Sequence, residues 1–251
     1  MPAPSPLPLT AAFIALSAEN ARRLLARTHG LTAETITRLP TERDDTFLVR
    51  TERAPLVAKF AHPLDEPRYL HDQLAVLDGL AREHPELPVQ RITPTVEGAL
   101  VARVTDDAGQ ERQVRVLSYL DGEPLGAAPR SLAAMHSLGA LHARLAAAIA
   151  DIGDTDRPPL MGSPTPWNLL NLDLYAPQLD QIRDDELRAN AGQVVDEARD
   201  ALLPAARALP ALLAHNDLHG DNVLVRSEPF AITGVLDFGD MTRTPRVADL
   251  A

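Results

Sequence analysis

Residues 215–222 have the sequence HNDLHGDN, and residues 237–240 have the sequence DFGD. The first stretch places six polar, ligand-competent side chains between the apolar residues 211–214 and 223–225. Those apolar flanks predict two strands, which would hold the loop between them rigidly at both ends. The second stretch follows another predicted strand, residues 232–236, and places a carboxylate at its end. Such a density of reactive side chains on short loops indicates a catalytic site.

Phosphoryl transfer requires two kinds of group that these stretches contain. One group must accept or orient the proton of the attacking hydroxyl, and oxygen ligands must hold magnesium against the phosphates. A His-x-Asp-x-x-x-x-Asn pattern followed by Asp-Phe-Gly supplies both. The joint pattern therefore predicts kinase-like chemistry, although either half alone would be a weak signal.

The two motifs resemble those of the aminoglycoside phosphotransferase and choline kinase family, whose fold and chemistry are shared with the protein kinases. The resemblance extends from about Leu39 to the last residue and is closest to the hydroxylysine kinase-like branch. Residues 237–241 followed by residues 249–251 resemble the C-terminal signature of that branch, and residues 41–47, TERDDTF, resemble its phosphate-loop region. The resemblance implies an α+β, protein-kinase-like fold of two lobes.

The same resemblance implies a role for each motif residue. Asp217 would be the catalytic base, and His215 would be a structural anchor of the catalytic loop. Asn222 and Asp237 would be the ligands of Mg²⁺, with ATP as the phosphate donor. The expected function is transfer of the γ-phosphate of ATP to a hydroxyl of a small molecule.

Lys59 is the only lysine in the chain and lies in the apolar stretch LVAKF. The resemblance implies that it binds the α- and β-phosphates of ATP and pairs with a carboxylate on the following helix. We expect that partner to be Glu66, on the inward face of the helix, with Gln73 as the alternative; Asp72 has better spacing but points outward. A surface lysine with its stem along the strand is the competing interpretation.

Two further segments are candidates for nucleotide contacts. The Thr41 hydroxyl and the backbone donors of residues 42–45, including Asp44, would cover the phosphates, although this loop has no glycine and a plain solvated turn explains it equally well. Residues Ser118 to Leu120 would form the adenine-binding hinge through backbone groups. Such groups exist in any sequence, so the side chains of Ser118 and Leu120 add little support.

Composition excludes several classes of function. The formal net charge is −11 and no basic run is present, so nucleic acid is not an expected partner. The absence of cysteine excludes disulfides and thiolate metal sites. No uninterrupted apolar run approaches the roughly 20 residues of a membrane span, so we expect a soluble, cytoplasmic protein with no membrane partner. The acidic balance favours a cationic acceptor, a small hydroxylated amine.

The predicted organisation begins with a leader and opening helix at 1–30, the helix covering 10–28. A nucleotide-binding lobe at 31–120 would contain a five-stranded antiparallel sheet and one helix at about 65–82, followed by a hinge at 121–125. A mainly helical catalytic lobe would occupy 126–251, with helices at 131–150 and 184–209. The predicted strands are Thr35–Leu39, Thr46–Arg50, Leu56–Phe60, Leu100–Val104 and Gln113–Tyr119.

Only eleven residues follow Asp240. The resemblance implies that further helices normally complete the second lobe, so this lobe is expected to be truncated. A missing or fused C-terminal domain is the corresponding expectation, and members of the closest branch also occur fused to an aminotransferase.

Two functions from other classes remain alternatives. His215, Asp217, His219 and Asp221 alternate along the chain like the ligands of a metal-dependent hydrolase. A non-catalytic nucleotide-binding domain is the second alternative, although the intact base and metal ligands disfavour it.

Overall fold

The computed structural model describes residues 13–41, 43–129, 131–153, 168–172 and 176–249. The predicted leader before residue 13, the loop residue Glu42 and residues 250–251 lie outside this part. Within it the chain forms two compact units, one of residues 13–141 and 219–236 and the other of residues 142–218 and 237–249. The predicted hinge at 121–125 does not coincide with this division, and the assignment of lobes stays a prediction.

In the first half of the chain, single helices are followed by groups of strands. In the second half, the described helices precede most of the strands. Their bounds are α1 (Ala18–His29), β1 (Thr35–Leu39), β2 (Asp45–Arg50), β3 (Leu56–Phe60), α2 (Pro67–Glu83), β4 (Ile92–Thr93), β5 (Ala102–Thr105), β6 (Glu111–Ser118), β7 (Glu123–Pro124), α3 (Leu132–Gly153), α4 (Asp185–Glu197), α5 (Leu203–Arg207), β8 (Ala211–Ala214), β9 (Val223–Arg226), β10 (Ala231–Val235) and β11 (Thr242–Pro245).

The first unit is built on one antiparallel sheet with the strand order β1-β2-β3-β6-β4, in which β5 also pairs with β6. The fold class is therefore α+β, as predicted. The predicted strands form, and the short β4 adds a sixth. Sequence periodicity misses β4 because two residues are too few to show an alternation.

The alternation of side chains gives the sheet two different faces. Phe47, Ala58 and Val116 are paired across β2, β3 and β6, and all three are buried in one core cluster with Leu24 and Leu25 of α1. The residues one position away in each strand must point to the opposite face. Helix α1 thus covers one face of the sheet, and Lys59 lies on the other.

Helix α1 begins later than the periodicity of the sequence predicts. Phe13 and Ile14 match helical spacing, yet the helix starts at Ala18, so the predicted start at residue 10 is wrong. The Ser17 side chain accepts the N–H of Asn20 and caps the helix there. The residues before Ser17 bond to the sheet instead, which a local pattern does not reveal.

A buried ion pair holds this early segment against the sheet. The Arg112 side chain is fully buried, and its Nη2 donates to Oδ2 of Asp45 at 3.0 Å. The same carboxylate oxygen accepts the N–H of Leu16 at 2.9 Å. Gln110 also accepts the N–H of Ile14 at 3.1 Å and donates to its carbonyl at 2.8 Å. Removing one partner of such a buried pair typically costs about 3–5 kcal/mol.

Helix α2 buries one apolar face, formed by Leu70, Leu74, Leu77 and Leu80 at helical spacing. Its N-cap is Glu66 and not Asp65, the residue at which the expected helix of about 65–82 begins. Asp65 instead accepts Nε of Arg43 at 2.8 Å.

Two helical segments of the second half differ from what the sequence predicts. The predicted helix at 184–209 is interrupted by a π-helical turn at Ala198–Leu202, just before Pro204. Within the described residues, one segment, Leu132–Ile152 of α3, is long and apolar enough to cross a membrane by length and composition. Polar positions interrupt the apolar residues of this helix, so it contains no uninterrupted apolar run of the kind that marks a membrane span in the sequence. Only 28% of its apolar window is buried.

Candidate active site

The catalytic-loop candidate begins where β8 ends. Strand β8 pairs with β11 in the second unit, so the chain leaves a fixed strand at Ala214 and enters the motif at His215. The His215 side chain is buried and packs edge-on against Phe238 with ring centroids 4.7 Å apart. Its Nδ1 accepts the backbone N–H of Asp217 at 3.3 Å. This placement fits the expected role of His215 as an anchor.

Asn216 adopts a left-handed backbone conformation with φ of 64°. Such a conformation is uncommon for a residue other than glycine and needs support from its surroundings. The support comes from Asp249, whose Oδ1 accepts the Asn216 N–H at 2.7 Å. The carboxylate of Asp249 therefore fixes the backbone immediately before Asp217.

Asp249 is itself held by a histidine. Nε2 of His142 lies 2.7 Å from Oδ2 of Asp249, whose side chain is 2% exposed. Burial favours the neutral acid, but the hydrogen bonds from His142 and from the Asn216 N–H outweigh it and hold the pKa of Asp249 below its ordinary value. The carboxylate thus stays ionised and remains a strong acceptor for the loop backbone.

Asp237 lies in the same unit as Asp217 and has the second left-handed backbone of the described non-glycine residues, with φ of 54°. Its Oδ1 accepts the N–H of Gly239 at 3.2 Å, and Phe238 after it packs on His215. The DFG segment and the catalytic loop are therefore in direct contact through Phe238.

The end of the first motif belongs to the unit that contains the large sheet. The N–H of Asn222 donates to the carbonyl of His219 at 3.0 Å, and Leu236 donates to the carbonyl of Asn222 at 2.8 Å. The Asn222 amide nitrogen lies 3.2 Å from Nε2 of His219. Amide oxygens are among the ligands that suit Mg²⁺, and the expected role of Asn222 as a metal ligand stays a prediction.

The hydrolase alternative gains no support from the geometry. Throughout the described ranges, no group of three or more His, Cys, Asp or Glu side chains is arranged to hold a metal ion. His215 is buried, whereas the side chains of His219 and Asp221 are 53% and 79% exposed. The four residues alternate along the chain, but their environments differ.

Lys59 lies in the middle of the sheet. It is opposite Thr46 of β2 on one side and opposite Arg115 of β6 on the other. Its side chain is half-buried. Lys59 therefore lies on the sheet face opposite α1, and its expected contact with the phosphates of ATP stays a prediction.

The expected partner Glu66 is at the very start of α2. It is the N-cap residue, its side chain is 49% exposed, and its Oε1 pairs with Nε of Arg68 at 2.8 Å. Gln73, the alternative, is half-buried within the helix. The pairing of Lys59 with Glu66 stays a prediction, and the observed Arg68 contact does not favour it.

The loop before β2 is organised by its own side chains. The Thr41 hydroxyl donates to the carbonyl of Asp44 at 2.5 Å. The Asp44 carboxylate pairs with Arg115 at 2.8 Å, and Arg43 pairs with Asp65. Contacts therefore hold Thr41, Arg43 and Asp44, and the expected cover of the phosphates by this loop stays a prediction.

The two predicted hinge residues differ in what their backbones do. Ser118 donates its N–H to Arg91 O at 2.8 Å and accepts Nε2 of Gln90 at 3.0 Å on its carbonyl. Leu120 makes no backbone hydrogen bond to another described residue. The expected contact of both residues with adenine stays a prediction.

Residues 35–251 match the phosphotransferase enzyme family. The chain belongs to this family. The match includes Lys59, both motifs and Asp249, so it covers every part of the candidate site described above. Family membership accounts for the order and spacing of the motif residues.

Relatives of this phosphotransferase-family chain include two hydroxylysine kinases. It is 24% identical to the protein of Danio rerio over 234 residues, which cover 90% of this chain and 66% of that protein. It is 25% identical to the protein of Xenopus laevis, with 94% and 68% covered. The chain thus spans about two thirds of the length of these relatives.

A solved structure shares the fold. Amicoumacin kinase, in complex with AMP-PNP, Ca²⁺ and Ami, superposes with a TM-score of 0.67 at 18% identity. The superposition covers 92% of this chain and 66% of that one. At this identity the likeness concerns the fold alone.

Sequence reasoning missed the supports of the site. Asp249 and His142 contact each other across 107 residues, and Asp249 reaches Asn216 across 33. The resemblance of residues 249–251 to a family signature was the only signal for Asp249. No local pattern distinguishes His142 from a histidine at the edge of the core.

Proposed function

We propose that this chain is an ATP- and magnesium-dependent kinase that transfers the γ-phosphate of ATP to a hydroxyl of a small, amine-bearing molecule. One observation carries the proposal: the backbone leading into Asp217 is fixed by His215 and by Asp249. A general base must be held in place to be effective, and these contacts provide that constraint. The family match independently supports phosphotransfer.

In this proposal Asp217 accepts the proton of the acceptor hydroxyl as its oxygen attacks the γ-phosphorus. Asp217 is half-buried, and it would orient the hydroxyl in the ground state and take its proton as the bond to phosphorus forms. His215 and Asp249 act through the backbone and do not touch the substrate.

Asn222 and Asp237 would hold magnesium, which supplies neutralisation of charge on the phosphates when bound. Lys59 would contribute a further positive charge to the α- and β-phosphates. Leu120 would bind adenine through its backbone groups, since the backbone of Ser118 is already engaged.

The acceptor class is supported by the relatives and by charge. The matched relatives are named for hydroxylysine, a hydroxylated amine. The net charge of −11 favours a cationic ligand. Hydroxylysine, ethanolamine-type amino alcohols and aminoglycosides are therefore the acceptors to test.

The test is ATP turnover by the purified chain with magnesium and a panel of these acceptors. We expect at least one of them to support acceptor-dependent formation of ADP and of a phosphate ester at its hydroxyl. Asp217→Asn should lower kcat by about 100-fold or more while nucleotide affinity is nearly unchanged, because only the proton acceptor is lost.

Asp221→Asn is the matched control, since it removes an exposed carboxylate of the same motif. We expect its kcat to stay within about threefold of the wild type. If Asp217→Asn retains activity within a few-fold, Asp217 is not the base. If nucleotide binds but no acceptor is phosphorylated, the non-catalytic alternative gains support.

A further inference from the structure

Three side chains form one row across the centre of the large sheet. Thr46 of β2 is opposite Lys59 of β3, and Lys59 is opposite Arg115 of β6. Directly opposite residues in antiparallel strands point to the same face, with Cβ atoms about 4.5–5.5 Å apart. The row Thr46–Lys59–Arg115 therefore lies on the face opposite α1 and contains two cationic side chains.

The second cation of this row is nearly buried and has one acidic partner. Arg115 is 8% exposed, and its Nη2 lies 2.8 Å from Oδ2 of Asp44. The two side chains are 10% and 15% exposed. Asp44 comes from the loop before β2, so this carboxylate reaches the row from a loop and not from a neighbouring strand.

The first member of the row has an unsatisfied hydroxyl. Thr46 is 2% exposed, and its Oγ1 has no hydrogen-bond partner in the described part of the chain. A buried polar atom without a partner costs free energy and calls for an explanation such as a ligand. The row thus combines a buried orphan hydroxyl with two cations.

This combination fits a ligand with several anionic oxygens. Arg115 carries five N–H donors, of which Asp44 engages Nη2 alone. A polyphosphate presents oxygens to several donors at once, whereas one carboxylate presents two. A carboxylate and a phosphate also repel each other when both approach the same cation.

We propose that Arg115 is a second phosphate-binding cation beside Lys59, and that Asp44 is a placeholder that the nucleotide polyphosphate displaces. The proposal rests on the proposed function and adds to it. Lys59 was assigned by resemblance to a family, but Arg115 and Asp44 are assigned by the strand register and by their ion pair. Asp44 then acts against nucleotide binding through its charge.

Because Asp44 and the nucleotide compete for Arg115, substitutions of Asp44 and of Arg115 should change the affinity for ATP in opposite directions. Asp44→Asn keeps the shape of the side chain and removes the competing charge, so ATP should bind about three- to tenfold more tightly. Arg115→Met removes a phosphate partner, so ATP should bind at least about tenfold more weakly. Adenosine, which lacks phosphates, should bind with an unchanged Kd in both variants.

The measurement is calorimetric titration of the full chain with ATP, adenosine and inorganic tripolyphosphate, each with magnesium. Asp78→Asn and Arg82→Met are matched controls, because they remove one carboxylate and one guanidinium from an exposed ion pair on α2. We expect these controls to leave all Kd values within about twofold. Tripolyphosphate should follow the pattern of ATP.

Several outcomes would overturn the proposal. Weaker or unchanged ATP binding by Asp44→Asn would show that Asp44 anchors the loop and is not a placeholder. Equal losses of ATP and adenosine by Arg115→Met would assign Arg115 to packing. If Arg115→Met does not fold, Arg115→Lys keeps a cation and should bind ATP within about fivefold of the wild type.

Failure of the proposed function gives a different pattern. Tripolyphosphate binding tests the row without any phosphate transfer, and turnover by the wild type tests the kinase without any variant. If the wild type turns over but Asp44→Asn does not bind ATP more tightly, only the role of Asp44 as a placeholder is contradicted. If the variants change the Kd for tripolyphosphate as expected but the wild type shows no turnover, only the proposed kinase function is contradicted. A wild type that binds no polyphosphate contradicts both.

Discussion

At the scale of residues, the two left-handed non-glycine residues of the described chain both lie in the motifs. Asn216 immediately precedes Asp217, and Asp237 opens the DFG segment. Sparsely populated backbone conformations cost about 1–3 kcal/mol each and persist where the surroundings enforce them. The Asp249 carboxylate enforces the first, so its removal should affect the loop more than the fold.

We predict that Asp249→Ala lowers kcat by about 10- to 100-fold, because Asn216 loses its acceptor and Asp217 moves from its place. The KM for ATP should change by less than about threefold, since the row Thr46–Lys59–Arg115 is elsewhere in the chain. Adding Asn216→Gly should recover part of kcat, because glycine adopts the left-handed conformation without cost. Steady-state kinetics of the single and double variants measure both effects.

Asp184→Ala is the control for this prediction. Asp184 also accepts a backbone N–H, that of Leu187 at 2.9 Å, but at the start of α4. Its loss should reduce stability by about 1 kcal/mol and leave kcat unchanged. An Asp249→Ala variant that behaves like Asp184→Ala would have a purely structural role.

The sequence alone offers candidates for the site but not the contacts that support them. Asp217, Asn222 and Asp237 belong to motifs with fixed spacing, so a single chain is enough to propose them. Arg115 and Asp249 owe their roles to partners that are distant in sequence, 71 and 33 residues away. Only strand register and tertiary contact bring such pairs together.

At the scale of elements, the five strands predicted for the large sheet all form, whereas the ends of the helices were not predictable. β1 and β3 form with the predicted bounds because alternation and β-branched residues mark them. α1 starts at Ala18 because the Ser17 cap and the contacts of Leu16 with Asp45 override helical spacing. The π-helical turn before Pro204 likewise depends on backbone geometry that periodicity does not contain.

Helix α1 also carries a pH-dependent element. His29 in its last turn is 7% exposed, Nε2 lacks a partner among the described residues, and burial lowers its pKa to about 4. The unfolded chain binds a proton near pH 6.5 and the folded chain does not, so stability falls as the pH drops from about 6.5 towards 4.

We predict that His29→Gln reduces this loss. Between pH 7 and pH 5 the wild type should lose about 1–2 kcal/mol more of its unfolding free energy than the variant, because glutamine does not titrate. Urea unfolding at the two pH values measures it. His71→Gln, a change at an exposed position of α2, is the control and should lose as much as the wild type. Equal losses in all three proteins would contradict the assignment.

At the scale of the whole molecule, the surplus of acidic residues should influence which acceptors are captured. The net charge of −11 attracts cationic amines over long distances, and salt screens this attraction. We predict that raising ionic strength from about 0.05 to 0.5 M increases the KM for a dicationic acceptor several-fold more than for a neutral hydroxylated analogue. Initial rates at saturating ATP give both values, and equal increases would show that the overall charge has no part in capture.

The attachment of the segment before α1 also has a consequence for synthesis on the ribosome. Ile14 emerges early, but Gln110, which holds its backbone from both sides, follows 96 residues later. At about 5–20 residues per second, this stretch takes roughly 5–20 s to synthesise. During that interval Asp45 lacks Arg112, and the core beneath α1 lacks β6. The nascent chain therefore waits with exposed apolar strands, and slow codons between β3 and β6 should prolong its dependence on chaperones.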